Sequence, residues 1–268
     1  MRRTGMSHSR RHFLGLTIAG AVALTGGCAV LGPDPVAAAP FGEVTLTEAG
    51  GVAGRRDRLV VRPDGVALAI TRQPAAGRLA RATMTRVEEL FASEQLRTEA
   101  ARPVERSRSC ADEIYRQVAM GSIAITRGTS CDAPRGEDLP AYRELVALLG
   151  PALRGEFDGP VSDPDPALPA LTLTRPADDP YEILVDPSGT VRLTRPDQPT
   201  TAAELTESGR DALRLLLVRI SAAPRRDRDR PDRYRLSFAG RSVTPGEVPE
   251  AVLEMQAVVR LLETTVGR

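Results

Sequence analysis

The chain has 268 residues, 41% of them hydrophobic, and its 36 basic and 35 acidic residues give a formal net charge of +1. It contains no lysine, and its only histidines are His8 and His12. A near-neutral chain of this length has room for one or two domains, and nothing in its charge favours a nucleic-acid partner.

The N-terminal segment carries the pattern of an export signal. Arg10 and Arg11, behind a serine and ahead of an apolar stretch, fit the twin-arginine motif. The apolar stretch is uncharged and is too short to span a bilayer, and a buried core helix would not need that basic flank. We expect residues 1–27 to be a signal peptide that directs the folded chain out of the cytoplasm.

Cys28 follows this segment directly. The sequence LTGGC that ends at Cys28 resembles the lipobox of bacterial lipoproteins, although Thr25 stands where the usual pattern has leucine. We expect a lipid on Cys28, a proline-rich tether over residues 28–42, and an extracytoplasmic protein anchored to the cell membrane. The alternative is a secreted protein that is cleaved after Ala37–Ala39.

Removal of the signal peptide takes both histidines with it. The mature chain then has no imidazole for Ser-His or Cys-His catalysis or for a His-based metal site, and no lysine for covalent chemistry. We therefore expect a protein that is not an enzyme and that holds no metal or cofactor. Hydrolysis by paired carboxylates is the least favoured alternative, because no spacing of acidic residues singles out a pair.

The rest of the chain repeats one order of elements in two halves. A strand pattern beginning at Val44 precedes the turn Pro63–Gly65, and the same order recurs with Leu171 and Pro187–Gly189. Proline presets one turn torsion and glycine accepts a positive φ, so each turn predicts a β-hairpin.

A second hairpin and a closing helix are predicted in each half. Gly121 and Gly240 mark the second hairpins, and the closing helices begin at Pro140 and at Pro249.

One further helix is predicted between the two hairpins of each half. Capping boxes place its start at Thr85–Glu88 and at Thr201–Glu204, where hydroxyl and carboxylate groups satisfy free backbone amides. Apolar residues then follow helical spacing. They are Val87, Leu90 and Phe91 in the first half and Leu205, Ala212, Leu213, Leu216, Leu217 and Ile220 in the second.

This order predicts an α+β fold with two similar domains, each a small antiparallel sheet packed against two helices. The first domain covers residues 43–150 and the second covers residues 170–268. Residues 151–169 are rich in proline and aspartate and are interpreted as a linker. The alternating arginine and aspartate run of residues 224–233 is interpreted as a solvated loop, with a partner-binding patch as the alternative.

Cys110 and Cys131 flank the second hairpin of the first half. Two thiols in an oxidising compartment predict a disulfide bond, and a redox role is the less favoured alternative. Closing a loop of about 20 residues stabilises a fold by about 3 kcal/mol in the chain-entropy model.

A glycine-rich stretch carries a resemblance to a known family. Gly50, Gly51 and Gly54, with the strand and amphipathic helix that follow and the residues Asp112 and Tyr115, resemble emfourin, a small protein inhibitor of protealysin. The likeness covers residues 43–150, and the same plan without the glycine pair recurs over residues 170–266. The resemblance implies a compact sheet-and-helix unit that inhibits a thermolysin-like metalloprotease.

Gly50, Gly51 and Gly54 are therefore the candidate partner-binding loop, and a tight turn or bulge is their purely structural interpretation. We expect a non-enzymatic protein-binding module at the cell envelope, whose partner is a secreted metalloprotease or another envelope protein. The alternative is a structural or accessory envelope lipoprotein without a discrete ligand.

Overall fold

The computed structural model describes residues 41–52, 54–103, 114–128, 139–161, 167–176, 179–226 and 233–267. Arg10, Arg11, Cys28, Cys110 and Cys131 lie outside these ranges, so the export signal, the lipid anchor and the disulfide stay predictions. Pro40–Arg268 forms one compact unit. Among the helices in the described ranges, none has the length and apolar character needed to cross a membrane.

The first half consists of a four-stranded meander, two helices, a hairpin and a closing helix. Its elements are β1 (Val44–Gly50), β2 (Arg55–Val61), β3 (Val66–Ile70), β4 (Ala75–Arg78), α1 (Arg81–Ala92), α2 (Glu94–Ala101), β5 (Ile114–Met120), β6 (Ile123–Gly128) and α3 (Pro140–Leu153).

The second half follows the same order with one helix fewer between meander and hairpin. Its elements are β7 (Leu171–Arg175), β8 (Tyr181–Val185), β9 (Thr190–Arg195), β10 (Gln198–Glu204), α4 (Glu207–Ala222), β11 (Arg235–Phe238), β12 (Arg241–Val243), a 3₁₀ turn (Pro249–Ala251) and α5 (Val252–Thr265).

The two sheets have equivalent strand orders. The first reads β4-β3-β2-β1-β5-β6 and the second reads β10-β9-β8-β7-β11-β12, with every pairing antiparallel. In each half the first strand therefore lies between the meander and the later hairpin. The predicted α+β class with two similar sheet-and-helix halves is confirmed.

The predicted turns lie where the sequence places them. Gly65 has φ +83° and donates to the Arg62 carbonyl at 2.9 Å, and Gly189 has φ +94° and donates to the Asp186 carbonyl at 3.0 Å. These turns join β2 to β3 and β8 to β9. The second hairpins, β5–β6 and β11–β12, likewise turn at the two predicted glycines.

The predicted capping box at Thr85–Glu88 is wrong. Helix α1 already begins at Arg81, so Thr85 lies inside it, and the residue before the helix, Ala80, makes no side-chain cap. The capping-box pattern depends on local sequence alone. The helical turn before it packs Met84 into the core, and this packing overrides the local preference. The predicted apolar positions Val87, Leu90 and Phe91 are buried.

The predicted capping box at Thr201–Glu204 is also wrong, because both residues belong to strand β10. Pairing with β9 fixes this backbone as a strand, although its side chains are mostly exposed. The true cap of α4 is Thr206, whose hydroxyl accepts from the Gly209 amide at 3.0 Å. The predicted apolar positions are nevertheless buried: Leu205, Ala212, Leu213, Leu216, Leu217 and Ile220.

The two halves share a hydrophobic core through β3. Ala67 and Ala69 pack with the helices of the first half, whereas Leu68 and Ile70 belong to the core cluster of the second half. All five β3 residues are buried, because successive side chains point to opposite faces of the sheet and both faces are covered. The first sheet therefore completes the core of the second half.

Polar contacts also join the halves. The Arg219 guanidinium on α4 lies 2.9 Å from Glu43 and 3.2 Å from the buried Glu254 on α5. Burial alone would lower the pKa of Arg219, but the two carboxylates outweigh it and raise the pKa above its usual value. Arg58 on β2 approaches Glu254 at 3.7 Å.

Part of the predicted linker is ordered against the first half. Helix α3 continues to Leu153, three residues into the segment 151–169. Phe157 packs against the core of the first half, and Gly159 exchanges backbone hydrogen bonds with Arg78 on β4. Leu168 is buried in the core of the second half. The position of the domain boundary stays a prediction.

Helix α3 is capped by a side chain from another helix. Pro140 opens α3 without an amide hydrogen, and Leu139 supplies no side-chain cap. The carboxylate of Glu99 on α2 accepts from the Ala141 amide at 3.1 Å and from the Tyr142 amide at 2.8 Å. Glu99 thus satisfies two of the backbone amides that every helix leaves free at its start.

The Tyr142 side chain fastens the same end of α3 to the sheet. Its hydroxyl donates to the Arg116 carbonyl on β5 at 3.1 Å. Burial raises the pKa of Tyr142 to about 12, even though Arg116 and Arg127 act in the opposite direction. The phenol therefore stays neutral through the physiological range and serves as a hydrogen-bond donor.

Candidate functional site

The glycine-rich segment forms the connection between β1 and β2, which we call the glycine hairpin (described residues 50–52 and 54). Gly50, Gly51 and Gly54 have φ of +114°, +71° and +59°. Side chains with a Cβ rarely adopt these values, so glycine is required there. The Gly54 amide closes the turn with a 3.0 Å hydrogen bond to the Gly51 carbonyl. The segment therefore forms a tight turn, and its role as a partner-binding loop stays a prediction.

The glycine hairpin carries an apolar side chain at its tip. Val52 is 83% exposed, the highest value among the large hydrophobic residues that the structure describes as exposed. A single exposed valine is ordinary on a protein surface. Here it lies on a turn whose positive φ values three glycines allow.

The base of the glycine hairpin is held by an ionic cluster. Glu48 on β1 is only 6% exposed and accepts from Arg116 Nε on the neighbouring β5 at 2.6 Å. Arg55 on β2 lies 3.0 Å from the other Glu48 oxygen and also contacts Asp57. Three strands are therefore tied together just below the turn, which restricts how far the hairpin moves relative to the sheet.

The equivalent connection in the second half differs. It lacks the glycine pair, and the Arg175 guanidinium at the end of β7 lies 5.9 Å from the centre of the Tyr181 ring at the start of β8. Ala177 and Asp178, which the sequence places in this connection, lie outside the described residues. Only the first half carries the predicted loop composition.

The buried acidic side chains have structural contacts. Each one forms a salt bridge with an arginine or accepts hydrogen bonds from backbone amides. Burial raises the pKa of Asp211 despite its contact with Arg214. The four are Glu48, Glu99, Asp211 and Glu254. The described part of the chain also contains no cluster of three or more His, Cys, Asp or Glu side chains arranged to hold a metal ion.

A cleft of about 1130 Å³ lies between the two halves and was not predicted from the sequence. We call it the arginine cleft, because five arginines line it. They are Arg55, Arg56, Arg72, Arg154 and Arg260. These residues come from four separate parts of the chain, so no sequence motif contains them and only the fold brings them together.

Comparison with protein-family models and with curated proteins gave no match for this chain.

Proposed function

We propose that the chain is a non-enzymatic protein-binding module that works at the cell envelope and contacts its partner through the glycine hairpin. The observation that carries this proposal is the exposed Val52 on a turn that is closed by the Gly54–Gly51 hydrogen bond and held at its base by the ion pairs of Glu48. Because these contacts hold the base of the turn before binding, less conformational entropy is lost on binding and more of the interaction energy is retained as affinity.

The partner we propose is a secreted thermolysin-like metalloprotease. The support for this partner is the resemblance of residues 43–150 to emfourin. A fold alone does not determine a function, so the proposal depends on the loop rather than on the sheet. Because the second half lacks the glycine pair, only the first half is proposed to make the contact.

Titration of the full chain against a thermolysin-like protease tests this function. We expect inhibition of peptide hydrolysis at micromolar protein, weakened about tenfold by Val52→Asp because a carboxylate at the tip resists burial in the interface. The matched control is Val218→Asp, which changes an exposed valine on α4 and should leave inhibition unchanged. Undiminished hydrolysis with the unmodified chain would reject the metalloprotease, and equal inhibition by Val52→Asp would reject the hairpin as the contact.

We also propose that export by the twin-arginine route and a lipid on Cys28 place the module at the membrane surface. The support is the motif around Arg10 and Arg11 and the lipobox-like sequence. Mass spectrometry of the mature protein is expected to show an N-terminal Cys28 with a diacylglyceryl group. A free N-terminus at Pro40 would instead make this a secreted protein, and an unprocessed Met1 would contradict export.

A further inference from the structure

The arginine cleft has an excess of positive charge. It is bordered by the start of β2, by the β3–β4 connection, by the end of α3, and by α4 and α5 of the second half. Five arginines line it, and only two carboxylates do, Asp57 and Glu204. A cleft whose walls carry mostly one sign of charge concentrates ligands of the opposite sign.

Both carboxylates of the cleft are already engaged by other groups. Asp57 forms an ion pair with Arg55. Glu204 accepts from the Thr190 hydroxyl at 2.6 Å. It also lies 3.7 Å from Arg210, which is not one of the five arginines that line the cleft. Neither carboxylate therefore forms an ion pair with the remaining arginines of the cleft.

Arg260 on α5 is the most unusual of these arginines. Its Nε and Nη2 atoms are buried, and neither has a hydrogen-bond partner. Burial lowers the pKa of Arg260. The charge of Asp57 and the Tyr234 side chain act against this shift, whereas Arg72 adds to it. Guanidinium nitrogens that are buried without an acceptor are costly, since folding removes their water without replacing it. The fold thus keeps a half-buried cation in place and leaves two of its donors without acceptors.

Two further arginines add to this unneutralised charge. Arg56 and Arg72 are exposed at the rim of the cleft, and neither has an ion pair with any residue that the structure describes. Arg154 differs, because it pairs with Glu156 at 3.1 Å. Among the residues that the structure describes, Arg56, Arg72 and Arg260 therefore give the cleft three cations that form no salt bridge within 4.0 Å, although Asp57 acts on Arg260 from a longer distance.

We propose that the arginine cleft binds a phosphate-bearing ligand, and that Arg260 contacts the phosphate. A guanidinium presents its N–H groups in a planar fork that matches two oxygens of a phosphate group. Several guanidiniums at one cleft suit a ligand with more than one negative charge. Free phosphate esters and phospholipid headgroups share this chemistry. This site adjoins the base of the glycine hairpin, because Gly54 and Arg55 line it, but Val52, the proposed protease contact, does not.

Calorimetric titration of the full chain with inorganic pyrophosphate tests the proposal. We expect saturable binding that Arg260→Gln weakens at least about tenfold, a loss of affinity of about 1.4 kcal/mol. The matched control is Arg97→Gln, which removes the same charge from the exposed face of α2, away from the cleft. It should change the affinity less than about twofold. Because two buried nitrogens of Arg260 lack acceptors, Arg260→Gln should also leave the thermal midpoint unchanged or raised.

Two results would overturn the proposal. One is the absence of pyrophosphate binding at millimolar concentration, and the other is an equal loss of affinity in Arg260→Gln and Arg97→Gln, which would show attraction by net charge alone. If Arg260→Gln does not fold, the exposed Arg72→Gln serves in its place under the same criteria.

Phosphatidylglycerol vesicles separate the two sources of phosphate. Vesicle binding that Arg260→Gln loses and pyrophosphate competes away supports a lipid headgroup as the ligand. Pyrophosphate binding without such vesicle binding supports a soluble phosphate ester.

Discussion

Replacing Glu99 with alanine is expected to lower the free energy of unfolding by about 3 kcal/mol. Glu99 is 2% exposed, and its two oxygens accept from the amides of Ala141 and Tyr142 at the start of α3. Both amides are buried, so removing the acceptor leaves two donors without water or protein partners. The carboxylate also lies at the positive end of the α3 helix dipole, which adds to the loss.

Chemical denaturation of the full chain measures this effect. Glu99→Gln retains the side-chain length but has one acceptor oxygen in place of two, so it should cost about half as much, roughly 1.5 kcal/mol. Glu88→Gln is the control, because Glu88 is exposed on α1, and its cost should stay within about 0.5 kcal/mol. A cost for Glu99→Ala as small as that of the control would show that α3 does not depend on this cap.

The Glu99 contact illustrates which parts of the structure the sequence predicts. Turn residues such as those of Pro63–Gly65 act through their own torsions, so the hairpins were predictable from a few adjacent letters. The cap of α3 comes instead from a residue about forty positions earlier in the chain. Nothing in the sequence around Pro140 indicates it, because the contact exists only after α2 and α3 pack together.

Strand β4, which the sequence does not predict, has a related explanation. β4 contains Gly77 and two alanines, which have weak strand preference, and it is held by backbone pairing with β3. Its outward edge is covered by Ser208, whose hydroxyl bonds both the amide and the carbonyl of Ala76, and by Gly159. A strand protected in this way needs no alternating apolar pattern of its own.

The two candidate sites differ in the same way, because adjacent residues predict one of them and only the fold forms the other. The glycine hairpin was predictable because a positive φ calls for glycine at particular positions. The arginine cleft was not, since Arg56, Arg72 and Arg260 look like ordinary surface charges until the two halves meet. Its signal is the pair of buried Arg260 nitrogens without acceptors, which exists only in the folded chain.

Gly77→Ala is expected to lower the free energy of unfolding by about 2–3 kcal/mol. A Cβ on Gly77 would lie 2.4 Å from Cγ of Phe157, much closer than two carbon atoms pack, so the Phe157 ring would have to move. Phe157 packs against the first-half core, and its displacement also strains the adjoining bonds of Asp158 and Gly159. Asp158 accepts from the Ala80 amide at 2.7 Å, and the Gly159 carbonyl accepts from the Arg78 amide at 2.8 Å.

Gly159→Ala is the matched control, because a Cβ there meets nothing within 4 Å, and its cost should stay within about 0.5 kcal/mol. A double-mutant cycle with Phe157→Ala isolates the cause. If the clash with the ring is responsible, Gly77→Ala should cost about 1–2 kcal/mol less in the Phe157→Ala background than in the unmodified chain. An equal cost in both backgrounds would assign the loss to the β4 backbone instead of to the ring.

The same variant also tests whether the two halves unfold together. β4 contacts Phe157 on one side and, through the Ser208 hydroxyl on α4, the second half on the other. Because the first sheet also completes the second core through Leu68 and Ile70, loosening β4 removes support from both halves. We therefore expect Gly77→Ala to shift one common unfolding transition, seen identically by tyrosine absorbance and far-ultraviolet circular dichroism. Two separated transitions would show that the second half keeps its core without the first sheet.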